Sequence, residues 1–337
     1  MSSAARTLEV QAPEHRSSEH RSAEPLSPEP RTKFARERNG FAVAMRDYSE
    51  LVKARVTTLV IITAACGFFL AARKGGFSSL SWQMLAAVIG VGLVSGGTAA
   101  LNEVMERDVD ARMQRTARRP LPSRRMSLAH GTVVGLLLTL GGSAYLGLTT
   151  NWLTGGLALL TACVYLAIYT PLKKISPVCT TIGAFPGAMP GVLGWTAARG
   201  RLDVEALVLF AIVFFWQFPH FFAIAWMYRE DYARGGVRMM PVVENDGKRT
   251  SRRILFYSIA LIPVSMLPFF VGMSGKTYFV GAIALGIGLL YFGLRLTQSR
   301  LQPSPGLSKR FARQLLQASV IYLPILFALM MINTPRS

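Results

Sequence analysis

The chain is 337 residues long, 51% hydrophobic and only 16% charged, against about 25% charge in an ordinary soluble domain. Its net charge of +19 does not mark a nucleic-acid binder. The basic residues sit between long apolar runs, where they set orientation and meet anionic headgroups. Composition therefore excludes one large water-soluble core and indicates an all-α, polytopic membrane protein in contact with lipid.

Residues 1–47 read as a disordered polar tail. Glu, Arg, Ser and Pro dominate it, Pro13, Pro25, Pro28 and Pro30 break any helix, and no apolar periodicity is present. Its acidic residues, Glu9 to Glu29, argue against a mitochondrial transit peptide, and the lack of an early apolar run argues against a cleaved signal. A bacterial plasma (inner) membrane is the expected location.

Residues 48–333 form the second expected domain, with nine spans: 55–73, 82–104, 129–149, 152–171, 179–197, 204–227, 254–272, 278–296 and 315–333. Each is close to the ~20 residues that cross the hydrocarbon layer. The fifth contains Pro186, Gly187, Pro190, Gly191 and Gly194, a composition that invites a kink or local unwinding. Basic residues concentrate in alternate connections, those after spans two, four, six and eight. The positive-inside rule then places the amino terminus and these loops in the cytoplasm and the carboxyl terminus outside. Cys66, Cys163 and Cys179 form no CxxC pair and are expected to be small buried fillers.

Three stretches carry chemistry. Along NEVMERDVDARMQRTARRP, Asn102, Glu106 and Asp110 recur every fourth residue, so they share one helix face. Two carboxylates and an amide oxygen suit a hard cation such as Mg²⁺, completed by substrate phosphates. Arg115 and Arg119 follow as candidate diphosphate ligands. On spacing alone, an ordinary helix end with snorkelling charges explains the run equally well. The second stretch closes span six: His220 in FWQFPHFF, then YREDYARGG with Tyr228, Glu230, Asp231 and Tyr232. Glu230 and Asp231 fall on the same membrane face as the first cluster. His220 is either an interhelical hydrogen-bonding group or a ligand to a haem. The third is YTPLKKISP, where Lys173 and Lys174 either set topology or bind the anion.

At these stretches the chain resembles the UbiA-type intramembrane prenyltransferases. Asn102, Glu106, Asp110, Arg115, Thr116, Arg119 and Pro120 match the first motif, N-x-x-x-D-x-x-x-D with R-T-x-x-R-P, with Glu106 in place of an Asp. The second motif, D-x-x-x-D, falls on Tyr228 and Tyr232. That departure, with YREDY, Met239–Val243, WQFPHFFAIAW and ELVKARVTTLV, is similar to the haem-modifying branch. The resemblance implies nine helices around a central cavity open to the cytoplasm, and Mg²⁺ on Asn102, Glu106 and Asp110. Arg115, Arg119 and Lys173 would hold the diphosphate of farnesyl diphosphate, and His220, Tyr228, Glu230, Asp231 and Tyr232 would serve the haem B side or order water. It further implies farnesyl transfer to a haem B vinyl group and hand-over of haem O to haem A synthase or oxidase assembly factors. Prenyl transfer to an aromatic acid such as 4-hydroxybenzoate, or haem binding or transport without catalysis, are the competing readings.

Overall fold

A computed structural model describes residues 33–244, 246–299 and 305–335, and among them there is helix and no strand. Contacts divide the chain into Met1–Ala42 and Val43–Ser337. In chain order the helices are α1 (Lys33–Leu51), α2 (Ala54–Gly75), α3 (Trp82–Asp110), α4 (Leu128–Thr149) and α5 (Trp152–Cys163). A π-helical segment, Val164–Tyr169, carries α5 into the short α6 (Thr170–Leu172). Then come α7 (Cys179–Arg199), α8 (Val204–Met227), α9 (Arg229–Gly235), α10 (Met240–Val243), α11 (Lys248–Phe270), α12 (Lys276–Ser299) and α13 (Pro305–Ile332).

Local chemistry sets the ends. Ser81, Ser127 and Asn151 cap α3, α4 and α5 by accepting from the N–H of Met84, His130 and Thr154. Each satisfies one amide that the first turn leaves unpaired. Gly76 and Gly200 close α2 and α7 in the left-handed conformation, which glycine adopts without steric cost.

Eight helical segments among the described residues are long and apolar enough to cross a membrane, and the protein is a multi-pass membrane protein. The fifth expected span, 179–197, is the 21-residue α7; its Gly, Pro and Thr content makes it less apolar, and it is not among those eight. Its prolines do not unwind it. The irregular turn lies instead in the fourth expected span, at Val164–Tyr169. Two further expectations are corrected. The expected tail is helical from Lys33 onward, because no proline follows Pro30 in this stretch; residues 1–32 lie outside the described residues. Cys66 and Cys179 are buried, but Cys163 is exposed, because it sits one residue past the inward-facing Ala162.

Small residues allow the central helices to touch. A Cβ on Gly67 of α2 would strike the carbonyl of Gly191, and one on Gly194 of α7 the carbonyl of Ala64. This is backbone-to-backbone packing of the kind small residues permit in bilayers. One buried cluster gathers Trp195, Leu209, Phe218, Phe222, Leu261 and Tyr322. A second joins Ala64, Val91, Val94, Leu146, Ala158, Ala162 and Leu193. Between α2, α3, α5, α7 and α8 an open chamber remains.

Candidate active site

Asn102, Glu106 and Asp110 occupy the last two turns of α3 and are 1%, 7% and 2% exposed. Asp108 points to solvent, as its position on the helix wheel requires. Each member of the buried row meets a cation from a different segment. Lys53, just before α2, donates to Asn102 Oδ1 at 2.7 Å. Lys173, just past α6, reaches both oxygens of Glu106 at 2.8 and 2.9 Å. Arg119 bonds Asp110 Oδ2 at 2.7 Å. Asn102 also donates through Nδ2 to Thr170 Oγ1 at 3.1 Å, which fixes its oxygen toward Lys53.

The π-helical turn explains how Lys173 is held. An extra residue in the turn brings Tyr165 and Tyr169 into contact, with ring centroids 4.9 Å apart. Lys173 Nζ lies 4.5 Å from the Tyr169 ring and 5.9 Å from that of Tyr165, within cation–π range. Burial opposes the charge on Lys173, yet the two tyrosines and Glu106 outweigh it and its pKa stands above the ordinary lysine value. Lys53 behaves oppositely. Burial, together with the charges of Arg119 and Lys173, pushes its pKa down to about 8.

Arg115 lies beside the same cluster, where the chain has left α3. Its guanidinium stacks 5.3 Å from the Tyr228 ring and 5.4 Å from that of Tyr232. It also donates to the Tyr232 hydroxyl at 3.3 Å. Asp231 positions this segment. Oδ1 accepts from Gln114 N–H at 2.8 Å and Oδ2 from Arg115 N–H at 3.3 Å, and Arg234 pairs with the same carboxylate. Burial would raise the Asp231 pKa, but Arg234 and the two amides hold it below the usual carboxylate value. Both Asp231 oxygens are therefore engaged within the protein.

The chamber is about 400 Å³, at the lower end of ordinary ligand sites. Lys53, Arg115, Tyr165, Tyr169 and Tyr232 line its polar end. Val60, Val91, Val94, Ala158, Ala162, Pro190 and Leu193 line the rest. The site thus combines an excess of cations over carboxylates with a long apolar bore. Uncompensated buried charge is costly, so the arrangement favours an anion with a hydrocarbon tail.

Of the expected residues, Asn102, Glu106 and Asp110 share one buried face, Lys173 pairs with Glu106 and Arg119 with Asp110, and Arg115 stacks on Tyr228 and Tyr232. Two lie elsewhere. Glu230 is exposed and pairs with Lys309 at 3.1 Å. His220 does not line the chamber; its Nδ1 is 2.9 Å from Ser319 Oγ, and its ring stacks on Trp216. Sequence reasoning missed Lys53, Tyr165 and Thr170. A lone lysine before a span reads as an orientation signal, and only the π-helical turn puts the two tyrosines under Lys173.

The model of the UbiA prenyltransferase family matches residues 60–316. The chain belongs to the UbiA prenyltransferase family. It is 59% identical over 296 residues to the protoheme IX farnesyltransferase of Koribacter versatilis, covering 88% of this chain and 96% of that protein. It is 44% identical to the protoheme IX farnesyltransferase of Solibacter usitatus, over 86% of this chain and 99% of that one. Solved structures share the fold at low identity. A digeranylgeranylglyceryl phosphate synthase matches with a TM-score of 0.65 at 18% identity, over 86% of this chain and 98% of that one. A UbiA homologue from Archaeoglobus fulgidus bound to GPP and Mg²⁺ matches at 0.58 and 18%, over 84% and 99%.

Proposed function

We propose that this protein transfers the farnesyl group of farnesyl diphosphate to a vinyl group of protoheme IX (haem B), with addition of water, to give haem O. The observation that carries the reading is the junction of two unlike surfaces in one chamber. Lys53, Arg115, Arg119 and Lys173 gather at one end, and an apolar bore leads away from them. A prenyl diphosphate has this polarity. The likeness to protoheme IX farnesyltransferases over most of the chain supplies the acceptor.

Asn102, Glu106 and Asp110 present two carboxylates and an amide oxygen on one face, too few for an all-protein cage. Among the described residues no group of three His, Cys, Asp or Glu side chains is placed to hold a metal ion. The set would fit Mg²⁺ arriving with the diphosphate, whose oxygens draw Lys53, Lys173 and Arg119 off the row, since that ion keeps open positions for phosphate oxygens. Bound there, it would neutralise charge on the departing diphosphate.

The protein's own groups do the rest. Arg115, Arg119 and Lys173 hold the diphosphate oxygens while the allylic C–O bond breaks and its electron pair leaves with the diphosphate. The vinyl π electrons form the new C–C bond to the farnesyl carbon, leaving positive charge beside the porphyrin. Water adds to that carbon and loses a proton. The chamber holds one chain-like molecule, so the porphyrin presents its vinyl group at the mouth, beside Tyr228 and Tyr232. Asp231 acts by positioning Arg115, and His220 and Glu230 stand on the acceptor side. The positive-inside rule applied to the basic connections supports a mouth and an amino terminus in the cytoplasm of a bacterium, with the carboxyl terminus outside its inner membrane.

The test is a product assay. Detergent-purified protein with haem B, farnesyl diphosphate and Mg²⁺ is expected to yield haem that has gained a farnesyl group and a hydroxyl, read by mass spectrometry. Unchanged haem, with farnesyl moved to an added aromatic acid, would overturn the acceptor assignment.

A further inference from the structure

The chamber has a floor at a definite depth. Glu106, at the polar end of α3, and Val91, in the chamber's lining, are four turns apart on that helix, about 22 Å at 1.5 Å per residue. Lys173 and Ala158 are separated by the same number of residues along the α5–α6 segment, and Cys179 and Leu193 by about 21 Å along α7. Val91, Ala158 and Leu193 share one buried cluster, so three helices end the bore at one level. Beyond it the structure is solid: Val91, Ala158 and Leu193 pack with Ala64 and Leu146, which are fully buried.

An extended chain advances roughly 1.2 Å per bond, as in a stretched polypeptide. The main chain of a farnesyl group then spans about 13 Å and its diphosphate about 6 Å, on the same scale. The sum, about 19 Å, lies within the depth; a fourth isoprene unit, about 5 Å longer, exceeds it.

The lining at that level is small on one wall. Ala158 and Ala162 are one turn apart on α5, and both are at most 2% exposed. They share a buried cluster with Val91 and Val94 of α3. Larger side chains at either alanine would occupy the end of the bore. We propose that Ala158 and Ala162, with Val91 as the stop, are the residues that fix the accepted prenyl chain at three isoprene units. The inference rests on the reading that the chamber takes the prenyl chain, and it adds which residues set the length.

The experiment compares geranyl, farnesyl and geranylgeranyl diphosphate in wild type, Ala158→Leu, Ala162→Leu and Val91→Ala. Donor binding is measured by competition without haem, and kcat/KM with haem B. In hydrophobic pockets one misfit methylene changes preference by about 10- to 200-fold. The farnesyl-to-geranyl ratio is expected to fall at least about tenfold in Ala158→Leu. A larger fall is expected in Ala162→Leu, which blocks the bore one turn higher. Val91→Ala removes bulk from the floor and should raise the geranylgeranyl-to-farnesyl ratio, a gain that a misfolded protein does not show. Equal losses for all three donors in the leucine variants, with an unchanged ratio in Val91→Ala, would overturn the proposal. A wild type that selects farnesyl diphosphate but transfers nothing to haem would refute the reaction and leave the length rule standing. One that prenylates haem B from all three donors alike would do the reverse.

Discussion

Lys173 Nζ is bonded to both carboxylate oxygens of Glu106, at 2.8 and 2.9 Å, and so ties the turn after α6 to the last turns of α3. The two side chains are only 13% and 10% exposed. Breaking a buried pair from one side leaves a charge without a partner, at a cost of about 3–5 kcal/mol. Lys173→Met or Glu106→Gln alone should therefore lower the melting temperature markedly. The double variant should recover most of it, since both charges leave together. Turnover should stay at least about a hundredfold down in all three, the usual loss when a preorganised charge at the reacting centre is removed. Thermal unfolding in detergent and the haem product assay read the two effects separately. Recovered activity in the double variant would make the pair purely structural.

Asp231 holds the segment that carries Arg115, through two backbone amides and the Arg234 side chain. Asp231→Asn weakens bonds to Gln114 N–H, Arg115 N–H and Arg234, and bonds to a charged group are worth about 1.5–3 kcal/mol. The KM for farnesyl diphosphate should rise about tenfold, the equivalent of one bond at the low end of that range, with a smaller change in kcat. The pH dependence has a definite sign. The folded pKa is depressed, so this stabilisation is complete above the ordinary carboxylate value of about 3.9. It disappears as pH falls through the lower folded value. Melting temperatures of wild type and Asp231→Asn should differ by a constant amount from pH 7 to pH 5 and converge only in stronger acid. Convergence near pH 6 would contradict the assigned environment.

The helices and the shared face of Asn102, Glu106 and Asp110 were legible because each rests on a one-dimensional signal. Apolar length marks the spans, and the spacing of Asn102, Glu106 and Asp110 puts them on one face whatever surrounds them. The partners of that row were only half legible. Arg119 and Lys173 stand in basic runs that attract notice, whereas Lys53 is a single residue whose role depends on α2 and α3 meeting. Sequence shows the charge of Asp231 and not the Gln114 and Arg115 amides its carboxylate accepts from. The start of α1 was missed because a charged, proline-free segment lacks the apolar stripe that marks a buried helix.

His220 is fixed by Ser319, with Nδ1 2.9 Å from Oγ, and lies outside the chamber's lining. If it serves the acceptor side, His220→Ala should raise the KM for haem B and leave that for farnesyl diphosphate unchanged. Ser319→Ala removes one hydrogen bond, worth about 1 kcal/mol, and should produce a weaker change in the same direction. Steady-state kinetics with each substrate varied in turn separates the cases. Equal effects on both substrates would reduce His220 to a packing residue between α8 and α13.

Asp110 offers the cleanest separation of chemistry from folding in this site. Its Oδ2 holds Arg119 at 2.7 Å, and its main-chain carbonyl accepts from Thr116 Oγ1 at 2.9 Å. The second bond survives any side-chain change, so the turn after α3 keeps that anchor in Asp110→Ala. The partner left behind, Arg119, is 26% exposed and can turn its charge toward water, unlike Lys173. Stability should fall by about 1 kcal/mol, nearer the value of a surface pair than of a buried one. On the proposed reading catalysis should fall far more, because one of only two carboxylates on that row is gone. Haem O formation is expected to drop below detection while the melting temperature moves by a few degrees. Full activity in Asp110→Ala would sink the assignment of the row to Mg²⁺ and diphosphate.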